Sequence, residues 1–340
     1  MTEHLFGKTL KELEYITKEV NLPKYTAKQI ADWLYKKNIK SVDEMTNLSK
    51  KAREILKERY DIGLKEPVSV QTSSDGTKKY LFKTGKNYIE AAYIPANNRA
   101  TLCVSSQAGC KYACEFCMTG RQGFQAHLSA NEILNQIKSL PEFDKLTNIV
   151  YMGMGEPFDN LDEVLKSTEI LTADWGFAWS PKRITVSTNG IIKGLKRFLK
   201  ESKCHLAISI HTPFAEERLR IMPVEKTNPI KDVLKIVKNH DFGRQRRISF
   251  EYIVFKDFND DKKHADELAR LVFGFYARVN LIRFHEIPGT DLKGTDYKTL
   301  EKFRDRLNEK GITATIRASR GQDIDAACGL LSTKELKAKN

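Results

Sequence analysis

Ala100-Thr-Leu-Cys103-Val-Ser-Ser-Gln-Ala-Gly-Cys110-Lys-Tyr-Ala-Cys114-Glu-Phe-Cys117 runs from an apolar, β-prone segment directly into three closely spaced cysteines. Its first part predicts a strand over Thr101–Ser105, and the cysteines then fall on the loop beyond the strand's C-terminal end. Three thiolates on one short loop can each hold one iron of a four-iron, four-sulfur cube. The fourth iron then has no protein ligand. Iron–sulfur clusters usually take four cysteines, and an open position is how catalytic metal sites admit a substrate. S-adenosylmethionine (SAM) suits that corner, because its amino and carboxylate groups can chelate the iron. An electron from the cluster would then split it into a carbon radical. Zinc is the poorer reading, since structural zinc sites usually repeat their Cys-x-x-Cys halves and no second pair follows. Disulfides suit a secreted chain, whereas the opening MTEHLFGKTLKELEY is charged and lacks the apolar run of a signal peptide.

Working outward from this loop, strand and helix alternate. Candidate strands are Thr101–Ser105, Asn148–Met152, Ile184–Ser187, His205–Ile210, Ile248–Val254, Val279–Phe284 and Thr313–Ile316. Helical periodicity covers Asp162–Leu171, Ile191–Leu199, Asp261–Val272 and Tyr297–Leu307. Such alternation predicts an α/β fold with a parallel sheet, either doubly wound or a full or partial (β/α) barrel. Chemistry-bearing residues recur just past the strand ends, which favours the partial barrel, whose site is built there. The cysteines follow the first strand, Gly153-Met-Gly155-Glu156-Pro157 the second and Ser187-Thr-Asn189-Gly190 the third. Ser209 and His211 close the fourth, and His285-Glu286 the sixth.

Upstream, residues 1–62 read as a small basic helical module. Thr26 is a candidate N-cap, Ile30, Trp33 and Leu34 share one face, and Leu48-Ser49 opens a third helix. Residues 63–97 alternate apolar and polar around Ser-Asp-Gly and Thr-Gly-Lys turns, which predicts a β-hairpin connector. The barrel core is expected over 98–318, with a C-terminal extension over 319–340. Lys and Arg number 57 against 44 Asp and Glu, a net charge of +13 in 340 residues. That excess favours a polyanionic partner. Lys36, Lys37, Lys40, Lys50, Lys51, Arg53, Lys57 and Arg59 crowd the N-terminal module, Arg244, Arg246 and Arg247 form a second knot, and the tail LSTKELKAKN is basic and expected to fray. Jointly they suggest a surface that tracks phosphates. No stretch approaches the roughly 18 continuous apolar residues of a membrane span, so a cytoplasmic protein is expected, which also suits an oxygen-sensitive cluster.

With these motifs in view, the chain resembles the RlmN/Cfr family of radical SAM adenosine methyltransferases acting on ribosomal RNA. Besides the cysteine loop, the resemblance rests on Met152-Gly-Met-Gly-Glu156-Pro, Ile184-Thr-Val-Ser187-Thr, Ser209-Ile-His211 and Gly321-Gln-Asp-Ile-Asp-Ala-Ala-Cys328-Gly. It implies a [4Fe-4S] cluster on Cys110, Cys114 and Cys117, and two SAM molecules per turnover. It implies that Cys328 accepts a methyl group as a thiolate nucleophile and, after hydrogen abstraction, adds that carbon to the adenine ring. Glu90 would take the ring proton, and Cys103 would release the product by forming a disulfide with Cys328. Without the resemblance, Cys103 reads as a packing cysteine and Glu90 as a solvated strand residue; Cys204 matches no role and reads as structural. For SAM, the resemblance points to Gly155, Glu156, Ser187, Ser209, Ile210, His211 and His285. The chain departs from the family at His285, where asparagine is usual, and at Asn189, where an apolar residue is common.

The implied substrate is an adenosine of 23S rRNA, methylated at carbon 2, and in some members a tRNA adenosine next to the anticodon. Structured RNA would be held by phosphate and shape contacts, with the base turned out into the barrel. A branch of the family methylates carbon 8 instead, and Pro157 after Glu156 favours carbon 2. A second class of reading is a non-catalytic iron–sulfur protein that binds RNA or senses redox state. An electron donor such as flavodoxin or ferredoxin, and a monomeric state, complete the expectations.

Overall fold

The computed structural model describes residues 3–243, 246–326 and 331. Arg244, Cys328 and the basic tail beyond Leu331 lie outside the described residues. The described chain is organised on a ten-stranded sheet. Its strands are β1 (Ser69–Thr72), β2 (Lys78–Thr84), β3 (Asn87–Ala96), β4 (Arg99–Cys103), β5 (Asn148–Tyr151), β6 (Ile184–Thr188), β7 (His205–Ser209), β8 (Ile248–Val254), β9 (Ala277–Arg283) and β10 (Ala314–Arg317).

From β4 to β10 each strand pairs in parallel with the next. The spatial order is the chain order, with no reversal. A doubly wound sheet reverses its strand order at a switch point. Parallel strands always added on the same side, each return crossing by a right-handed helical connection, instead curl toward a barrel. The end strands β1 and β10 do not pair, so the barrel is partial. The hairpins expected over 63–97 are strands β1 to β3, and they extend the same sheet antiparallel to β4, with Ala92 opposite Cys103.

The crossover helices are Ala130–Lys138, Leu161–Thr172, Ile192–Glu201, Ala215–Ile221, Ile230–Lys238, Lys262–Val272 and Tyr297–Glu309. Their starts are set locally. Ser129 and Glu132 form a reciprocal capping box, and the Asp261 and Asp296 carboxylates accept from the backbone N–H groups of His264 and Thr299. The helix at Ala130 adds to the helical stretches expected from periodicity, and Ser129-x-x-Glu132 before an apolar run is its local signal.

The N-terminal module has helices over Leu10–Glu19, Thr26–Lys36 and Lys50–Arg59. Ser49 caps the third as expected, but Thr26 is already inside the second helix, buried, and Tyr25 precedes it without a side-chain cap bond. The module shares one continuous apolar core with the barrel. Phe6 and Tyr35 pack on Phe177, Tyr35 also meets Trp175, and the Asn131 side chain donates to the Phe6 and Gly63 carbonyls.

Candidate active site

The concave side of the sheet encloses a cavity of about 720 Å3. Cys103, Cys110, Cys114, Cys117, Gly155, Glu156, Ser187, Ser209, His211 and His285 all line it. Residues scattered over much of the sequence thus converge, because each sits on the inner face or at the C-terminal end of a neighbouring strand. Among the described residues, two expected site residues stand outside that lining. Ile210 is fully buried, and its backbone N–H donates to the Glu251 carbonyl. Glu90 is buried on β3, with Lys79 Nζ 3.3 Å from its Oε1 and both side chains 5% exposed. Its burial replaces the solvated position that spacing alone suggested.

The cysteine loop is framed by a short antiparallel pair, Gln107–Gly109 with Phe124–His127. Cys110 N–H donates to the Gly123 carbonyl at 3.1 Å and Glu115 N–H to the Ile221 carbonyl at 3.0 Å. Phe116 is driven into the apolar cluster of Ile221, Met222 and Phe255, its ring edge-on to His211 at 4.9 Å. The loop is therefore anchored at its root and by its aromatic residue, which leaves the cysteines directed to the cavity. Burial pushes the Cys110 thiol up to about 12 and the Cys114 thiol well above its usual range, with neighbouring thiols adding repulsion. Bound cationic iron would reverse that balance by stabilising thiolates.

His211 sits in a left-handed backbone conformation, φ 59°. Its Nδ1 accepts from the Ile253 backbone N–H at 3.0 Å, which puts the proton of the neutral ring on Nε2. Burial, and secondly Arg218, hold the ring neutral by lowering its pKa to about 3. Glu156 ties two strand-end loops together. Its Oε1 accepts from Phe158 N–H at 3.0 Å and its Oε2 from Asn189 N–H at 2.8 Å. Burial raises it to about 7, against the lowering effect of those two amides. His285 is half-buried and its Nε2 lies 2.9 Å from Ser319 Oγ.

The most connected residue was not visible in the sequence. Arg218, fully buried, pairs with Glu225 and donates to the carbonyls of Asn189 (2.7 Å), Ser209 (3.0 Å) and Ile210 (3.2 Å). It joins the loops after β6 and β7, so it holds the part of the rim that carries Asn189, Ser209 and His211. A buried cation survives there because a carboxylate and three carbonyls replace its water.

These residues fit an iron–sulfur cluster with SAM beside it. The three loop thiols are held in no disulfide. Among the described residues no three His, Cys, Asp or Glu side chains converge on a point where a single metal ion could sit. Two buried acceptors in the cavity wall, Asn189 Oδ1 and Glu251 Oε2, have no hydrogen-bond partner among the described residues. A donor-rich ligand such as SAM would satisfy them. Gly155 (φ +93°) brings the backbone against the site, and a Cβ there would fall 2.4 Å from Gln107 Cβ.

Residues 104–269 match the Radical SAM superfamily, and residues 3–62 match a ribosomal RNA large subunit methyltransferase N-terminal domain. A "probable dual-specificity RNA methyltransferase RlmN" of Phocaeicola vulgatus is 60% identical over 337 residues, which cover 98% of this chain and 97% of that protein. The chain belongs to the RlmN family. The dual-specificity RNA methyltransferase RlmN of Halorhodospira halophila is 41% identical over 91% of this chain and 87% of its own length. The crystal structure of a radical SAM methyltransferase from Sphaerobacter thermophilus superposes with a TM-score of 0.90 at 36% identity, covering 97% of this chain and 99% of that one. Membership in the RlmN family carries a [4Fe-4S] cluster and SAM with it, in agreement with the donor set above. No helix among the described residues is long and apolar enough to cross a membrane.

Proposed function

We propose that this chain methylates carbon 2 of an adenosine in 23S rRNA, and of the tRNA adenosine beside the anticodon, using Cys328 as the methyl carrier. The observation that carries the reading is the convergence of Cys103 with the three loop cysteines on one cavity, with Ala326 in the same small apolar cluster as Cys103. Ala326 lies two residues before Cys328 in the chain, and Cys328 itself lies outside the described residues. The dual specificity named for its relatives supports both RNA substrates.

Bound to Cys110, Cys114 and Cys117, the cluster with SAM supplies one-electron cleavage of a sulfonium and, with it, abstraction of an unactivated hydrogen. Two SAM are consumed per methyl delivered, one as methyl donor and one for abstraction. Gly155, Glu156, Ser187, Ser209, His211 and His285 hold SAM, with neutral His211 offering an Nε2 proton as donor. Glu90 removes the proton from carbon 2, with the Lys79 ammonium 3.3 Å from its carboxylate. The Cys103 thiolate would then attack the Cys328 sulfur: the sulfur–methylene bond breaks, the released carbon takes a proton to become the product methyl, and the disulfide left behind is reduced to two thiols by the electron donor before the next turnover. Residues 1–62 and the barrel act as one body, monomeric, in the cytoplasm, with a flavodoxin or ferredoxin as reductant.

The test is anaerobic incubation of reconstituted protein with SAM, dithionite and RNA, followed by nucleoside mass analysis. 2-Methyladenosine together with 5′-deoxyadenosine is expected. 8-Methyladenosine would move the chain to the other branch, and absence of both products would leave a non-catalytic iron–sulfur protein.

A further inference from the structure

The cavity extends from the cysteine loop to the opposite, N-terminal ends of the strands. There its lining includes Arg99, Lys182, His205, Arg247 and Arg278. Arg99 and His205 are the first residues of β4 and β7, Arg247 directly precedes β8, Lys182 lies two residues before β6, and Arg278 is the second residue of β9. The winding of the sheet brings these positions to one rim.

Arg99, Lys182, Arg247 and Arg278 are exposed, and none has a carboxylate within ion-pair distance among the described residues. Elsewhere arginines are neutralised: Arg197 by Asp162 and Glu201, Arg306 by Asp266, Arg270 by Glu267. The N-terminal module, expected to be the phosphate surface, is also partly neutralised, with Lys36 on Asp32, Lys57 on Asp43 and Lys40 near Glu66. Arg246 of the second basic knot is 8% exposed and donates to the Cys204 and Leu199 carbonyls, so it faces no ligand. The rim therefore holds a concentrated set of uncompensated cations. Their mutual field is felt locally, since burial and then Arg247, Arg246 and Lys182 lower His205 to about 4.

Beside this rim the turn leading into β9 exposes Phe273 (70%) and Tyr276 (85%), the latter two residues from Arg278. Exposed aromatic faces next to unpaired cations are the combination that holds single-stranded nucleic acid, through base stacking and phosphate neutralisation. The cysteine loop lies at the opposite end of the cavity, with its Phe116 packed on Phe255 and His211.

We propose that the RNA strand flanking the target adenosine docks on this rim, with phosphates on Arg99, Lys182, Arg247 and Arg278 and an unpaired base on Tyr276. The target base then enters the barrel from the end opposite the cysteine loop. This rests on the RNA methyltransferase reading and adds the docking face and its residues.

The test uses the full-length, cluster-loaded protein and a single-stranded oligoribonucleotide spanning the target adenosine. The Arg247→Gln/Arg278→Gln double variant should bind it at least about tenfold more weakly at low salt. Its slope of log affinity against log salt should shrink by roughly 0.7 for each phosphate no longer neutralised. Tyr276→Ala should weaken binding roughly tenfold without changing that slope, and Tyr276→Trp should restore it. Iron content and thermal unfolding, unchanged in all three, show that the effect is on docking. Unchanged affinity and slope in the variants, with loss instead in Lys50→Gln/Lys51→Gln, would overturn the docking face while wild-type methylation continued. A wild-type enzyme that left this RNA and intact ribosomal RNA unmethylated would overturn the functional reading itself.

Discussion

Cys103, near the C-terminal end of the first parallel strand, packs with Ala326 in a small cluster completed by Ala92 and Val150. The strand that begins the barrel and the segment around Ala326 thus share one apolar cluster. A purely packing cysteine would be replaceable by alanine at a cost in stability alone. If Cys103 resolves the Cys328–RNA linkage, Cys103→Ala should bind cluster and RNA yet stop after less than one turnover. The stalled protein–RNA adduct should appear as a shifted band on a denaturing gel. Normal multiple turnover by the variant would return Cys103 to a packing role.

The buried pair of Lys79 and Glu90 makes a second expectation. Lys79→Met removes the ammonium that lies 3.3 Å from the Glu90 carboxylate. If the pair positions the proton acceptor, single-turnover methylation should slow at unchanged iron content, and Lys79→Arg should restore most of the rate. A lower urea midpoint with an unchanged rate would show that Lys79 serves folding and not the proton acceptor.

Arg218 should be among the least replaceable residues of the molecule. Arg218→Met leaves the Glu225 carboxylate buried without its partner and releases the Asn189 and Ser209 carbonyls. Breaking such a pair costs about 3–5 kcal/mol, readable as a lower urea midpoint at constant slope. The Arg218→Met/Glu225→Met variant should recover part of that loss, since no stranded charge remains. It should still bind SAM poorly, because the two strand-end loops lose their common anchor.

His211 predicts a pH dependence of stability. Its folded-state pKa, about 3, lies below the ordinary value of 6.5. The unfolded chain therefore takes up the proton first, and stability present above pH 6.5 is lost as pH falls toward 3. At pH 5 the loss from this one group is about 2 kcal/mol relative to pH 8. Urea unfolding of wild type and His211→Asn at both pH values should show that difference. Parallel losses in the two proteins would mean that His211 does not stay neutral.

Much of this molecule was written locally. The cysteine spacing, the strand–helix alternation, the serine and aspartate caps and the polar residues beyond each strand are short-range features, and they place the barrel and the cluster loop without help from distant parts of the chain. Other features needed the fold. Nothing in the sequence marks Arg218 and Glu225, which the fold turns inward as a buried pair, and Arg246 looked like part of a basic surface until the chain carried it against Phe198 and Phe242. The cationic rim was invisible for the same reason, since its members lie in separate segments with nothing in common but their positions near the starts of strands. Local sequence sets which conformation each segment prefers. Only the closing of the sheet decides which charges lose their water, which find partners, and which are left facing the cavity.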